Sequence, residues 1–413
     1  MSRKRAHMWA AGRVALAAVL LFLVFKYVIP IRDTVELADG TTLTGTFVEQ
    51  RAEAVVIETD EDVYTVPYGE MALGDDGRPA ISRGFIPLLK EMRPQRYAAG
   101  MVLLGLIPWI ASLRWITLMH AQGMPLGYWR GLELTYLGLF CNNFMPGLTG
   151  GDVAKAYYAS KMTSTRKTNA VVTVFLDRLI GIITLACVAG VAVAATIAFP
   201  GGERSADYMT AAWLVGALVL LSAAGIAGFF SGRVRALGRR VIKATPGHAR
   251  LRSNRVVARV VGLIEKIDAA IFLYRDRKAA LLRCVLLSVA AHSSAVAGIY
   301  FFGKALGVAE VRLISCFVVV PVAFIVSSIP IAPAGWGIGE VAFKTFFGAV
   351  GVGAAAAVTI SIVYRLTQAL WTLPGGLMLM VQKERPTFEE VEEEMEEAAE
   401  MLEEEIVEDF DAA

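Results

Sequence analysis

Asn142-Asn143-Phe144-Met145-Pro146-Gly147-Leu148-Thr149-Gly150-Gly151-Asp152 and Pro330-Ile331-Ala332-Pro333-Ala334-Gly335-Trp336-Gly337-Ile338-Gly339-Glu340 decide how this chain folds. Each stretch places proline and several glycines in the middle of apolar sequence and then adds an acid. Proline removes a helix donor and glycine lowers helix propensity, so a helix should break at each stretch. Inside hydrocarbon such a break leaves amides and carbonyls that lipid cannot satisfy. It is tolerated only where protein or water covers it.

The flanking sequence repeats the pattern. Asp152 is followed 26 residues later by Arg178, in Phe175-Leu176-Asp177-Arg178-Leu179, and Glu340 is followed 25 residues later by Arg365, in Val363-Tyr364-Arg365-Leu366. Each unit therefore reads as a span, a broken re-entrant hairpin, and a long span carrying an arginine. The first hairpin starts from the cytoplasm and the second from outside. Opposite topology makes the pair an inverted repeat, with a binding site expected where the discontinuous segments meet near the midplane.

The composition agrees with a membrane location. Of 413 residues, 56% are hydrophobic and 19% charged, far more apolar surface than one soluble core needs. A span needs about twenty mainly apolar residues. Candidates lie near 8 to 29, 97 to 119, 169 to 199, 209 to 230, 279 to 302 and 356 to 381, with broken apolar regions at 128 to 160 and 313 to 352. The first span follows Arg3, Lys4 and Arg5, and no small-residue cleavage site follows Pro30, so it reads as an uncleaved anchor. The expected fold is an all-α polytopic membrane protein with a small extracytoplasmic β insert. Its segments are an anchor (1–30), the β domain and linker (31–96), the transmembrane domain (97–382) and an acidic cytoplasmic tail (383–413).

Charge sets the orientation. Between Arg233 and Arg283 there are fourteen Lys and Arg against three acids, and Lys161, Arg166 and Lys167 cluster earlier, so both segments should be cytoplasmic. The insert and the loop from Gly201 to Asp207 then face outward, and both termini lie in the cytoplasm of a cell that keeps this chain in its inner membrane. After Pro386 come fourteen Asp and Glu with no Lys or Arg, which leaves the preceding chain at +16. Val391, Met395, Ala398, Leu402 and Ile406 add a thin apolar stripe at helical spacing. Such a tail is either a solvated acidic segment or a partner for the basic stretch 233 to 283.

The insert alternates apolar and polar residues in Thr34-Val35-Glu36-Leu37, Thr46-Phe47-Val48, Ala54-Val55-Val56-Ile57 and Val63-Tyr64-Thr65-Val66, with a turn at Asp39-Gly40. This predicts a small curled sheet that leans on the membrane domain or on a partner. Cys141, Cys187, Cys284 and Cys316 sit in apolar stretches without a Cys or His at metal spacing, so neither disulfide nor metal is expected. No nucleotide loop and no Gly-x-Ser-x-Gly occurs, and no cofactor is implied.

Asn142, Pro146, Gly150-Gly151-Asp152 and Lys155, then Asp177-Arg178, and later Gly335-x-Gly337-x-x-Glu340 with Tyr364-Arg365, resemble the flippase-like transmembrane region of lysylphosphatidylglycerol synthases and their stand-alone relatives. The resemblance covers roughly residues 97 to 382. Lys155 stands where the family usually has Arg, and Gly339 where many members have Arg before the Glu. The resemblance implies movement of anionic or isoprenoid-type lipids between leaflets, by a flippase or scramblase-like transporter. It does not imply synthesis, since no segment is long enough for a separate soluble catalytic domain.

Charges at membrane depth cost about 2.5 to 3.5 kcal/mol each, so Asp152, Asp177, Arg178, Glu340, Lys344 and Arg365 need partners or water. One reading pairs each acid with the arginine of its own repeat. The other has Asn142, Asn143, Asp152, Lys155, Arg178, Glu340 and Arg365 meet a lipid headgroup, supported by Pro146, Gly150, Gly151, Asp177, Gly335, Gly337 and Tyr364. Glu133 stands alone in a hairpin arm, as a proton site or a buried acid, and His292 reads as a contact between helices. Trp109, Trp115, Trp129 and Trp371 read as interface or packing residues. Candidate partners are membrane lipids, phospholipid or polyprenyl-type, an envelope-synthesis protein and further copies of the chain, but not nucleic acid. The rival functions are a noncatalytic scaffold that recruits envelope lipid enzymes, and a membrane transferase using Asp152 or Glu340 as base.

The charge distribution predicts that a single cysteine at Gly40 reacts with an impermeant thiol reagent from outside intact cells. Reaction only after the cytoplasmic face is opened would overturn the orientation and the inverted repeat together.

Overall fold

The computed structural model describes residues 31–73, 79, 81–144, 150–161, 167–198, 213, 216, 274, 277–327 and 335–381. The candidate span 8 to 29, the span 209 to 230 apart from residues 213 and 216, most of the basic segment, the tail, and Pro146 at the first helix break lie outside them.

The alternating stretches of the insert form an antiparallel sheet. Its strands are β1 (Asp33–Glu36), β2 (Thr42–Gln50), β3 (Ala54–Glu58), β4 (Val63–Pro67) and β5 (Ile81–Ser82), in the order β4-β3-β2-β1-β5. Asp39-Gly40 makes the β1–β2 turn, where the Thr41 amide donates to Asp39 Oδ1 at 2.8 Å. That hydrogen bond holds the exposed Asp39 carboxyl below the usual carboxylate range. One face of the sheet buries Val35, Val55, Ile57 and Val66 with Met71. Asp33 is fully buried beside this core: Oδ2 accepts the Phe47 amide at 2.8 Å and Oδ1 accepts the Gly84 amide at 2.7 Å, with Arg83 Nε at 3.4 Å. One carboxylate thus ties β1 to β2 and to the segment that leaves the sheet.

That segment turns into a short helix, α1 (Phe85–Lys90), whose Phe85 packs on Ala355, Val358 and Ile362. The small sheet therefore leans on a helix of the membrane domain through its linker.

The remaining described helices are α2 (Pro94–Ala121), α3 (Tyr128–Phe144), α4 (Gly150–Lys161), α5 (Lys167–Ala198), α6 (Lys278–Ala305), α7 (Leu313–Ser327), α8 (Ile338–Gly348) and α9 (Ala354–Val381). Four of them, α2, α5, α6 and α9, are long and apolar enough to cross a membrane. The 28 residues of α2 rise about 42 Å. The shorter helices come in two pairs, α3 with α4 and α7 with α8, each interrupted at the proline and glycine stretch.

The chain divides into two compact units. One holds the insert, α7, α8, and the portions of α2, α5, α6 and α9 numbered 94–104, 192–198, 294–305 and 354–370; the other holds α3, α4 and the portions numbered 105–121, 167–191, 278–293 and 371–381. In the first unit the Arg93 amide donates to Ala305 O at 2.8 Å, so α2 begins where α6 ends. Ser294 Oγ donates to Leu103 O at 2.7 Å, and Tyr97 and Thr367 hydroxyls meet at 3.1 Å. In the second unit Trp115, Met119, Leu134, Leu137, Cys141, Ala159 and Val174 form a closely packed core. Tyr274 reaches back to donate to Leu118 O at 2.9 Å, placing the approach to α6 beside the end of α2.

Replacing Asp33 with Ala should loosen the insert without releasing the helices, because two buried amides lose their acceptor at about 1 to 3 kcal/mol each. Hydrogen exchange is the measurement: the Phe47 and Gly84 amides should lose protection in Asp33→Ala while α2 and α9 keep theirs. Unchanged protection at both amides would show that Asp33 does not hold the sheet.

Candidate functional site

The second unit builds its polar cluster on the hairpin of α3 and α4. The two helices approach so closely that a Cβ on Gly151 would lie 1.8 Å from Gly138 O, a backbone atom that cannot move aside. Asn142 seals the same point by accepting the Gly151 amide on Oδ1 at 3.1 Å. Helix α4 begins at Gly150, and its early amides have no helical acceptor of their own. Asn142 meets one of them. Asn143 donates to Leu139 O at 3.2 Å and reaches Thr372 Oγ1 at 3.5 Å.

Asp177 on α5 is the centre of the cluster. Arg114 on α2 grips it with both prongs, Nε to Oδ1 at 2.6 Å and Nη2 to Oδ2 at 3.0 Å, while its Nη1 donates to Ser288 Oγ at 2.8 Å. Lys155 on α4 places Nζ 3.7 Å from Asp177 Oδ2 and 4.1 Å from the centroid of the Trp115 ring. All three charged side chains are buried or nearly so. His292 donates from Nε2 to Gly181 O at 2.9 Å, one turn along α5 from Asp177. Desolvated charges of this kind hold only when each is met by an opposite charge and by hydrogen bonds.

Asp152 and Arg178 form the neighbouring ion pair, and this one is open: the Arg178 side chain is 45% exposed and that of Asp152 25%. Asp152, at the third position of α4, also lies where the helix dipole favours an acid.

The first unit repeats the scheme around α7, α8 and α9. Gly335 and Gly337 take positive φ of 70° and 84°, conformations that side chains resist, and α8 begins immediately after them. Glu340 folds back to accept the Gly337 amide on Oε2 at 2.6 Å, and Ser361 donates to Oε1 at 3.2 Å. Arg365 Nε lies 2.7 Å from Glu340 Oε1, and its guanidinium sits 5.5 Å from the Trp336 ring centroid. Both partners are buried, Glu340 completely. Tyr364 stacks on Phe324 and Phe343, with centroids 5.2 and 6.3 Å away.

The two clusters share one register. Asp152 is the third residue of α4 and Glu340 the third of α8, while Arg178 is the twelfth residue of α5 and Arg365 the twelfth of α9. Three residues after the acid stands Lys155 in one unit and Phe343 in the other; immediately before the arginine stands Asp177 or Tyr364. The Lys155–Asp177 ion pair in one unit thus occupies the register positions of the Phe343–Tyr364 stack in the other.

The profile described as the lysylphosphatidylglycerol synthase TM region matches residues 82–375. The chain belongs to that family. A UPF0104 membrane protein of Pyrococcus horikoshii is 24% identical to it over 282 residues, which cover 66% of this chain and 82% of the relative. The matched region of this lysylphosphatidylglycerol synthase TM family member takes in both clusters and every described helix but the last turns of α9. It is a multi-pass membrane protein, and strands β1 to β4 and the acidic tail lie outside the match.

Sequence reasoning missed Arg114 and Ser288. An arginine in the apolar stretch Ser112-Leu113-Arg114-Trp115 was the available signal, since a charge at that depth requires a partner. Glu133 is not alone: Arg130, one turn earlier, donates to it at 2.7 Å. Lys344 is exposed on α8. Trp115 is fully buried with its indole donating to Thr173, whereas Trp109 and Trp129 are exposed and meet edge on at 6.1 Å, the habit of residues at a membrane interface.

The difference in burial predicts different costs for the two acids. Asp177→Asn strands Arg114 and Lys155 in a desolvated core and should cost about 3 to 5 kcal/mol, with a large fall in thermal midpoint in detergent. Asp152→Asn, at a partly exposed pair, should cost no more than about 1 kcal/mol. Equal midpoints for the two variants would contradict the burial pattern.

Proposed function

We propose that this protein moves anionic or isoprenoid-type lipids between membrane leaflets, as a flippase or scramblase-like transporter that performs no catalysis and uses no cofactor. The observation that carries the reading is the open pair of Asp152 and Arg178, an exposed guanidinium twelve residues into a membrane-spanning helix and beside a helix break. An exposed charge at that depth is costly unless water or a charged group of the lipid meets it. A guanidinium with free donors binds a phosphate oxygen pair in the way it binds a carboxylate. The family assignment and the shared register of the two clusters support this reading, with the units as inverted repeats, the hairpins re-entrant and the termini cytoplasmic. The lipid, a phospholipid or a polyprenyl-type carrier, would present its phosphate to Arg178 while its chains stay in hydrocarbon. Lys155 then holds Asp177, and Arg365 fixes the second hairpin.

A second reading is a noncatalytic scaffold that recruits an envelope-synthesis enzyme through the β insert. The tight burial of Glu340, Arg365, Asp177 and Lys155 favours it, because a scaffold needs its charges paired in a dry core.

Reconstituted liposomes separate the two. With Arg178→Ala present at the parent level, leaflet exchange of labelled phosphatidylglycerol or a polyprenyl phosphate should fall at least tenfold, and Arg178→Lys should recover only part. Exchange at the parent rate in Arg178→Ala would sink the transport reading and leave the scaffold. Arg365→Ala is a poorer probe, since it strands the buried Glu340 and should lower the amount of folded protein.

A further inference from the structure

The acidic stretch after Pro386 has no part in the proposed transport, and the second unit contains a groove that suits it. The groove, of about 410 Å³, lies between the end of α2 and the start of α6, lined by Thr117, His120, Arg277, Ala280 and Arg283. Arg277 and Arg283 are exposed, and among the described residues no acid pairs with either. Orientation by positive charge accounts for arginines near a helix end. It does not account for a concave site that gathers two of them with a histidine from another helix.

Helix directions bring the tail to this end. Asn143 meets Thr372 and a Cβ on Gly375 would touch Tyr136 O, so α9 leaves alongside the beginning of α3. The beginning of α3 lies beside the end of α2, since a Cβ on Gly131 would touch Ile116 and the His120 ring hydrogen-bonds Leu126 O at 2.9 Å. The last turn of α9, at Val381, therefore emerges at the same end as His120. Residues 387–413 carry fourteen acids and no Lys or Arg. Their 27 residues span about 40 Å even if helical and about 90 Å if extended.

We propose that the acidic segment 387–413 docks in the groove formed by His120, Arg277 and Arg283 of its own chain. Anionic lipid headgroups offer the same charge. The tail has the advantage of its tether, which holds it at an effective concentration in the millimolar range. The assignment depends on neither the lipid carried nor the side of the membrane on which this end lies.

Full-length protein with a photoreactive residue in place of Ala280, in vesicles of phosphatidylcholine alone or with added phosphatidylglycerol, tests the docking directly. Adducts mapped by mass spectrometry should fall within 387–413 in both vesicles and decline about tenfold in roughly 0.5 M salt. Arg277→Glu with Arg283→Glu should remove them, and exchanging six tail glutamates for lysine in that double variant should restore them. Adducts confined to lipid, adducts to another segment of the chain, or tail adducts indifferent to salt and to charge reversal overturn the proposal. Mixing isotope-labelled with unlabelled protein adds one further arm. Adducts found only between labels assign the groove to a neighbour's tail and overturn docking within the chain. No arm reads lipid movement, so failure here leaves the transport reading as it was.

Discussion

A carboxylate surrounded by apolar helices survives as an anion only if its charge is met on the spot, and Asp177 is met by cations from two other helices. Arg114 approaches from α2 and Lys155 from α4. Arg114 extends the contact to α6 through Ser288, and His292 of α6 returns to α5 through Gly181 O. The four helices α2, α4, α5 and α6 are thereby fixed in one register by polar contacts, where packing of similar apolar faces alone would permit sliding. Burial makes the contact strong and its loss costly, because the same low dielectric that strengthens the pair penalises any member left alone.

Both hairpins answer the problem set by their own breaks with side chains close by in sequence. Asn142 accepts the Gly151 amide, and Glu340 accepts the Gly337 amide. The arginine of the following long helix then neutralises the acid at the third helical position. Where the units part is instructive. Lys155 and Asp177 form an ionic contact in one, and the aromatic rings of Phe343 and Tyr364 occupy those register positions in the other. An ion pair and an aromatic stack can each hold a short helix against a long one. The ionic version draws Arg114 as well, and of the two described acid–arginine pairs at the hairpins it is Asp152–Arg178 that is partly exposed. One hairpin therefore keeps its acid–arginine pair partly exposed, while the other has its pair buried.

Much of this was legible in the sequence because charges, prolines and glycines are rare in apolar stretches and therefore mark positions. The four described long helices coincide with the apolar segments, and the strands with the alternating ones. The acid-to-arginine spacing anticipated the two pairs, since a helix presents its third and twelfth residues at predictable depths. What distance along the chain could not convey was the third partner. Lys155 reads as a free cation in its motif, and only the folded chain places Trp115 and Asp177 beside it. Asp33, just before the first alternating stretch, carries no mark of its role in the sequence, yet it is the buried acceptor that holds the sheet to its linker. Arg114 escaped notice because it stands outside the two motifs.

Position 339 shows how a local substitution is compensated at a distance. The family resemblance places an arginine there in many members, and glycine here removes that guanidinium from the hairpin. The space has been taken by another: a Cβ on Gly339 would lie 1.6 Å from Arg365 Nη2, so any side chain at 339 would displace Arg365. Arg365 can lie this close to α8 because position 339 is bare, and from there it reaches both Glu340 and the Trp336 ring. An arginine at 339 would have to evict it, leaving two guanidinium groups to share one carboxylate in a buried site. Among the described residues of the first unit's cluster, the cation is therefore supplied by the long helix α9, which explains why that pair can be buried and closed.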